Sequence, residues 1–140
     1  MQVVITIEGS QADVFEQEPD ELVQFSTDGE YTCVDGCGVL TYPESELTGM
    51  EGTTTTFRLR EGRIALVRTG AVEMALEFTP GGASESLYDI GEGALLVRVA
   101  TRKLELDLGW DGGAFDLDYA VDVENEPLGT ISYHIEVKVL

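Results

Sequence analysis

Apolar and polar residues alternate with a period of two from one end of the chain to the other. Val3, Ile5 and Ile7 alternate with Gln2, Val4, Thr6 and Glu8. Val72, Met74, Leu76 and Phe78 do so with Ala71, Glu73, Ala75 and Glu77, and Leu104, Leu106, Leu108 and Trp110 with Glu105, Asp107 and Gly109. Phe115, Leu117, Tyr119, Val121 and Val123 form a fourth such run, and Ile131, Tyr133, Ile135, Val137 and Val139 a fifth. Successive strand side chains point to opposite faces, so each run predicts a strand with one dry and one wet face. Antiparallel sheets show that pattern.

Weaker strands fill the gaps: Glu21–Asp28 with Val23 and Phe25 inward, and the β-branched Thr53–Arg60 with Phe57 and Leu59 inward. Arg63–Arg68 turns Ile64 and Leu66 inward, and Ala94–Thr101 turns Leu95, Val97 and Val99 inward. Tyr31, Leu40 and Tyr42 complete the expected core. Turns are predicted at Asp28-Gly29, Asp35-Gly36, Glu61-Gly62, Thr69-Gly70, Gly81-Gly82 and Gly112-Gly113. Links this short join only antiparallel neighbours. The longer connections, Gly9–Asp20 and Pro43–Gly52, leave no room for a crossover helix. Ribbons of this kind curl, and pairing the first strand with the last removes both exposed edges. The expected fold is all-β: one domain over residues 1–140, an up-and-down antiparallel β-barrel of about 8–10 strands. A two-layer sandwich is the alternative architecture, but it calls for longer connections between sheets.

Several stretches also resemble a known group. Leu40-Thr-Tyr-Pro-Glu-Ser-Glu46, Arg68-Thr-Gly-Ala-Val-Glu-Met-Ala-Leu76, Thr101-Arg-Lys-Leu-Glu105, the Gly112-Gly113 pair and Phe115-Asp-Leu-Asp-Tyr-Ala-Val121 occur in the order of the YwiB-like family. That family comprises small uncharacterised bacterial proteins, and the likeness runs from about Val3 to Val139. The resemblance implies a calycin-type, lipocalin-like barrel and brings no activity with it. The first third of this chain, acidic and without a base, departs from the family.

Charge narrows the partners. Asp and Glu total 27 against 8 Lys and Arg, a formal charge of -19. Such a surface repels nucleic acid and anionic membrane, both of which are held through basic side chains. The 43% hydrophobic content excludes a disordered acidic tail. Residues 1–57 contain no Lys or Arg, and residues 104–140 only Lys138, so the basic residues of the middle third face acids from both ends. The chain shows no export signal or transmembrane span, and it has two cysteines, which points to the cytoplasm.

Arg68 follows Ile64 and Leu66 at period two, so it points toward the core, where a cation needs a carboxylate. That acid is either a ligand's or one of the protein's own, such as Glu44 or Glu46; the third outcome is a head reaching solvent at the rim. Tyr119 and Tyr133 sit on inward faces and Trp110 ends a strand on the same face, as pocket lining or as plain core. The ligand-binding set is therefore Arg68, Trp110, Tyr119 and Tyr133.

The other chemistry-bearing residues yield no catalytic or metal site. His134 lies on the wet face with Ser132, without a Gly-x-Ser-x-Gly elbow or companions for zinc. Cys33 and Cys37 fall on opposite faces if Asp35-Gly36 is a two-residue turn and face each other if the loop has three residues. Asp116, Asp118, Asp122 and Glu124 form a flat acidic ladder that cannot wrap a calcium ion. No cofactor is expected. The first functional expectation is a cytoplasmic barrel binding a small apolar or anionic ligand. The alternative is a filled, acidic module that docks a basic partner or pairs as a homodimer through outward Val4, Ala71, Ala75 and Ala120. Enzymatic activity is not expected.

Overall fold

The computed structural model describes residues 1–13, 21–45, 50–89 and 91–140, with backbone alone for 10–13 and 21–23. Ten strands form one antiparallel sheet: β1 (Gln2–Asp13), β2 (Glu21–Val34), β3 (Cys37–Pro43), β4 (Thr53–Arg60), β5 (Arg63–Gly70), β6 (Met74–Phe78), β7 (Ala83–Asp89), β8 (Ala94–Gly109), β9 (Gly112–Val123) and β10 (Glu126–Val139). The sheet order is β6-β5-β4-β3-β2-β1-β10-β9-β8-β7, so every sequential neighbour from β1 to β6 and from β7 to β10 is paired. The first strand pairs with the last from Val3↔Val139 to Asp13↔Gly129. A single continuous sheet of this order is a barrel, not a sandwich.

The barrel closes between β6 and β7, and there the ladder thins. Glu73 and Asp89 exchange two backbone hydrogen bonds of 2.9 and 3.0 Å. Farther along, serine hydroxyls replace carbonyls as acceptors: Ala75 N donates to Ser86 Oγ and Glu77 N to Ser84 Oγ, both at 3.2 Å. The seam is laced by side chains, so the barrel is nearly rather than fully closed.

The inward set matches the alternation. Val3, Ile5, Tyr31, Leu40, Leu59, Ile64, Leu66, Phe78, Phe115, Leu117, Ile135 and Val137 form one buried cluster. Phe57 on β4 and Phe115 on β9 come from diametrically opposite walls of the ten-strand ring, yet their ring centroids lie 5.3 Å apart, edge to face. The two walls meet at that level. Near the β8–β9 turn, Tyr31 Oη donates to the Gly109 carbonyl at 2.8 Å, a second tie across the barrel.

Several expectations need correction. Asp28-Gly29 is not a turn, because β2 runs straight through it with Val3 opposite Gly29. The glycine is there for clearance: a Cβ would lie 2.6 Å from both Ile5 Cδ1 and the Thr41 carbonyl. Thr69-Gly70 likewise ends β5 opposite Thr53 and is not the turn itself. The β8–β9 turn is Trp110-Asp111, flanked by the Gly109↔Gly112 pair, with positive φ only at the glycines that follow it. The runs 94–101 and 104–110 are one strand, joined by a bulge at Arg102 that switches the inward parity from odd to even. Leu95, at the start of β8, is exposed. Leu104, Leu106 and Leu108 face inward yet stay half-buried, because β7 covers β8 only over Ala94–Ala100. The inward placement expected of Val23 falls on a side chain outside the described set.

Asp35-Gly36 is a two-residue turn with positive φ at both positions, as type I′ hairpins require. It pairs Cys33 with Gly38 and Val34 with Cys37, so the two thiols lie on opposite faces, and both are free.

Candidate functional site

Apart from the Tyr31 hydroxyl, the buried polar side chains among the described residues gather at the end away from the Asp35-Gly36 turn. Register places Tyr42, Thr55, Arg68 and Met74 in one row across β3, β4, β5 and β6. The next row toward the core is Leu40, Phe57, Leu66 and Leu76, so the polar row sits directly on the packed apolar layer. Glu44 follows β3 by one residue. Its backbone N still donates to the Thr53 carbonyl at 2.8 Å, which continues the ladder and keeps its side chain on the face of Tyr42.

Glu44 is buried, 8% exposed. Its Oε1 accepts the Thr55 hydroxyl at 2.6 Å, and the same hydroxyl oxygen accepts Arg68 Nε–H at 3.3 Å. A threonine hydroxyl has one proton and two lone pairs, so this relay uses it as both donor and acceptor. Glu44 is thus one protein acid within the Arg68 cluster; Glu46 lies outside the described residues. Beneath them, the Thr53 hydroxyl accepts Val72 N at 3.2 Å.

Tyr119 and Tyr133 belong to the same group. Their ring centroids are 6.4 Å apart, tilted at 38°. Burial first, and then its tyrosine neighbour, push the Tyr119 phenol well above its usual range, while the Arg68 charge opposes that shift. Tyr42 is pushed up as well, by burial first and next by the Glu44 charge, again against Arg68. Both phenols are therefore protonated donors at neutral pH. Gly9, the register partner of Tyr133, makes room for its ring: a Cβ there would lie 3.0 Å from Cε1. On the other side of Tyr119, its register partner Thr101 is 5% exposed, and its hydroxyl has no hydrogen-bond partner among the described residues.

Three of the four residues expected to line a ligand site thus stand together: Arg68, Tyr119 and Tyr133. Trp110 does not join them. Alternation carries it inward, but the strand stops at Gly109, and as a turn residue at the opposite end it is 73% exposed. Sequence reasoning misses Thr55 and Thr101 as members of the site. Both stand at inward parity in β-branched strands, and polarity at a dry position is the signal that marks them.

The outer face carries a separate cluster. His134 Nδ1 and Asp116 Oδ1 are 2.7 Å apart, and Nε2 lies 3.3 Å from Glu136 Oε1. The hydrogen bond to Asp116, then that to Glu136, raises the imidazole's proton affinity. Ser132 donates to Asp118 Oδ2 at 3.0 Å, so its hydroxyl proton is committed to that acid and not to His134. Asp118 also faces Arg102 at 3.7 Å. No group of three or more metal-ligating side chains occurs among the described residues. No helix among them is long and apolar enough to cross a membrane.

An all-β barrel with ten antiparallel strands and a polar cluster at one end is the class that these observations define. The chain belongs to the family described as "Domain of unknown function (DUF1934)", whose model matches residues 5–135. It is 27% identical over 106 residues to the "Uncharacterized beta-barrel protein YwiB" of Bacillus subtilis (strain 168), covering 76% of this chain and 73% of that one. The crystal structure of the ywiB protein from Bacillus subtilis superimposes with a TM-score of 0.76 at 21% identity, over 99% of this chain and 92% of that chain. The expected family likeness and the barrel are both upheld. The relatives bring no function with them.

Proposed function

We propose that this protein is a cytoplasmic binding barrel, not an enzyme, and that it takes a small ligand with an apolar body and a carboxylate at the Arg68 end. The observation that carries this reading is the concentration of Arg68, Thr55, Tyr42, Tyr119 and Tyr133 inside one end of an otherwise apolar interior. A barrel built only for packing gains nothing from a half-buried guanidinium and three phenols there, since each must be hydrogen-bonded to avoid a desolvation cost. The orphaned Thr101 hydroxyl beside Tyr119 costs about 1–3 kcal/mol unless something satisfies it. Half-buried Phe25 and Ile131, packed against the core near Tyr133, offer apolar contact.

The Phe57–Phe115 contact limits how deep a ligand reaches, which favours a short aromatic acid over a long chain. A calycin-type barrel suits the same reading, though only by analogy of fold. The second reading, a filled acidic module that pairs with itself or a basic partner, draws support from that same cross-barrel contact.

Dansylglycine, a fluorescent aromatic carboxylate, tests the first reading against its own methyl ester. Saturable binding of the acid, weakened at least tenfold by Arg68→Gln, is expected. Equal binding of acid and ester, or an Arg68→Gln variant that binds as well as wild type, would count against it. Light scattering that finds a salt-sensitive dimer, together with no probe binding, would favour the module.

A further inference from the structure

We infer that Glu44 is a built-in occupant of the anion site: its carboxylate holds the place beside Thr55 and Arg68 that a ligand's carboxylate takes, so the two compete. This inference rests on the proposed carboxylate site and adds to it a residue that sets affinity.

The geometry is that of a bound acid. The Glu44 carboxylate is buried, lies 2.6 Å from the Thr55 hydroxyl, and is separated from the Arg68 guanidinium by that one oxygen. Tyr42 lies alongside on the same face, two residues before Glu44, and the Glu44 charge is felt at its phenol. Cation, hydroxyl and phenol are the donors that would receive a small carboxylic acid in an apolar setting.

Position distinguishes Glu44 from its neighbours. Tyr42, Thr55 and Arg68 lie within strands, each fixed by ladder pairs. Glu44 lies one residue past the end of β3. Its link to the ladder runs through its backbone N, which donates to the Thr53 carbonyl, so moving the carboxylate breaks no strand pair. Arg68 is half-buried, so it stays reachable once Glu44 swings away. A carboxylate one hydroxyl away from Arg68 offsets part of the cost of holding a half-buried cation there. The same charge lowers the affinity of any competing anion by whatever it takes to displace it.

The test measures dansylglycine and its methyl ester on wild type, Glu44→Gln, Glu44→Asp and Arg68→Gln. Removing the competing charge in Glu44→Gln is expected to tighten the acid about tenfold. The ester should change by less than about twofold, since it carries no charge to compete. Glu44→Asp, which retracts the carboxylate by one methylene, should tighten the acid to a lesser degree. Arg68→Gln should remove the preference for acid over ester. If Glu44→Gln weakens acid binding or leaves it unchanged while Arg68→Gln still weakens it, the competition is refuted and the carboxylate site survives. If Arg68→Gln leaves acid binding intact, the site itself is refuted and the competition with it. A Glu44→Gln protein that fails to fold, with Glu44→Asp giving no tightening, would mark Glu44 as a structural anchor and overturn the inference.

Discussion

Phe57→Ala tests whether the two walls of the barrel meet at its centre. Phe57 is 3% exposed, lies 5.3 Å from the Phe115 ring at 64°, and stacks at 6.4 Å on Tyr42. Truncating a buried phenylalanine to alanine costs about 3–5 kcal/mol, a sum of lost transfer energy and the cavity left behind. The edge-to-face pair accounts for about 0.5–1.5 kcal/mol of that. With a urea m-value of about 1.5–2 kcal/mol per M, the unfolding midpoint falls by about 2 M. Equilibrium unfolding followed by far-UV circular dichroism reads the shift. A double-mutant cycle with Phe115→Leu isolates the pair, and a coupling of about 0.5–1.5 kcal/mol is expected. A loss below about 1.5 kcal/mol, with coupling near zero, would mean that the walls do not touch in solution.

Gly29→Ala should cost at least about 2 kcal/mol, read as a lowered melting temperature, because one of the two atoms its Cβ would crowd is a backbone carbonyl that cannot swing aside. His134 binds its proton more tightly when folded than the usual 6.5, facing Asp116 on β9, Glu136 on its own strand and Glu8 opposite on β1. The stability from that pairing is complete below about pH 6.5 and is lost as pH rises through the folded value, so His134→Gln should destabilise near pH 5.5 and have little effect near pH 8.5 in paired unfolding curves. Amides of Ala75 and Glu77, held by serine hydroxyls at the seam, should exchange with deuterium faster than those of Ile5 and Ile7 in the β1–β10 ladder. Trp110 should fluoresce as a water-exposed indole, and Trp110→Phe should change stability by less than about 0.5 kcal/mol.

The barrel is legible in the sequence because period-two alternation is a direct consequence of strand geometry, and it holds wherever strands run without interruption. That rule alone places Leu117, Phe115, Ile5 and Ile135 inward, and they are buried. It fails where register changes. Glycine is a poor guide by itself: Gly29 serves close packing inside a strand, whereas Gly36 serves a turn, and only tertiary neighbours tell them apart. The Arg102 bulge shifts parity without any residue type that marks a bulge. Alternation carries Trp110 one step too far, because it does not say where a strand stops. Arg68 is visible as a cation at a dry position. Glu44 is only one of two acids that could reach it by sequence, since the choice depends on one ladder bond that continues β3 past Pro43.

The functional account stands or falls on whether the Arg68 guanidinium meets a ligand's carboxylate. The Arg68 Nε–H resonance, followed by NMR as dansylglycine is added, reports this directly. It is predicted to shift saturably, in step with the fluorescence isotherm, and to stay still with the methyl ester. An Arg68 resonance unmoved at full occupancy of the acid would contradict the account.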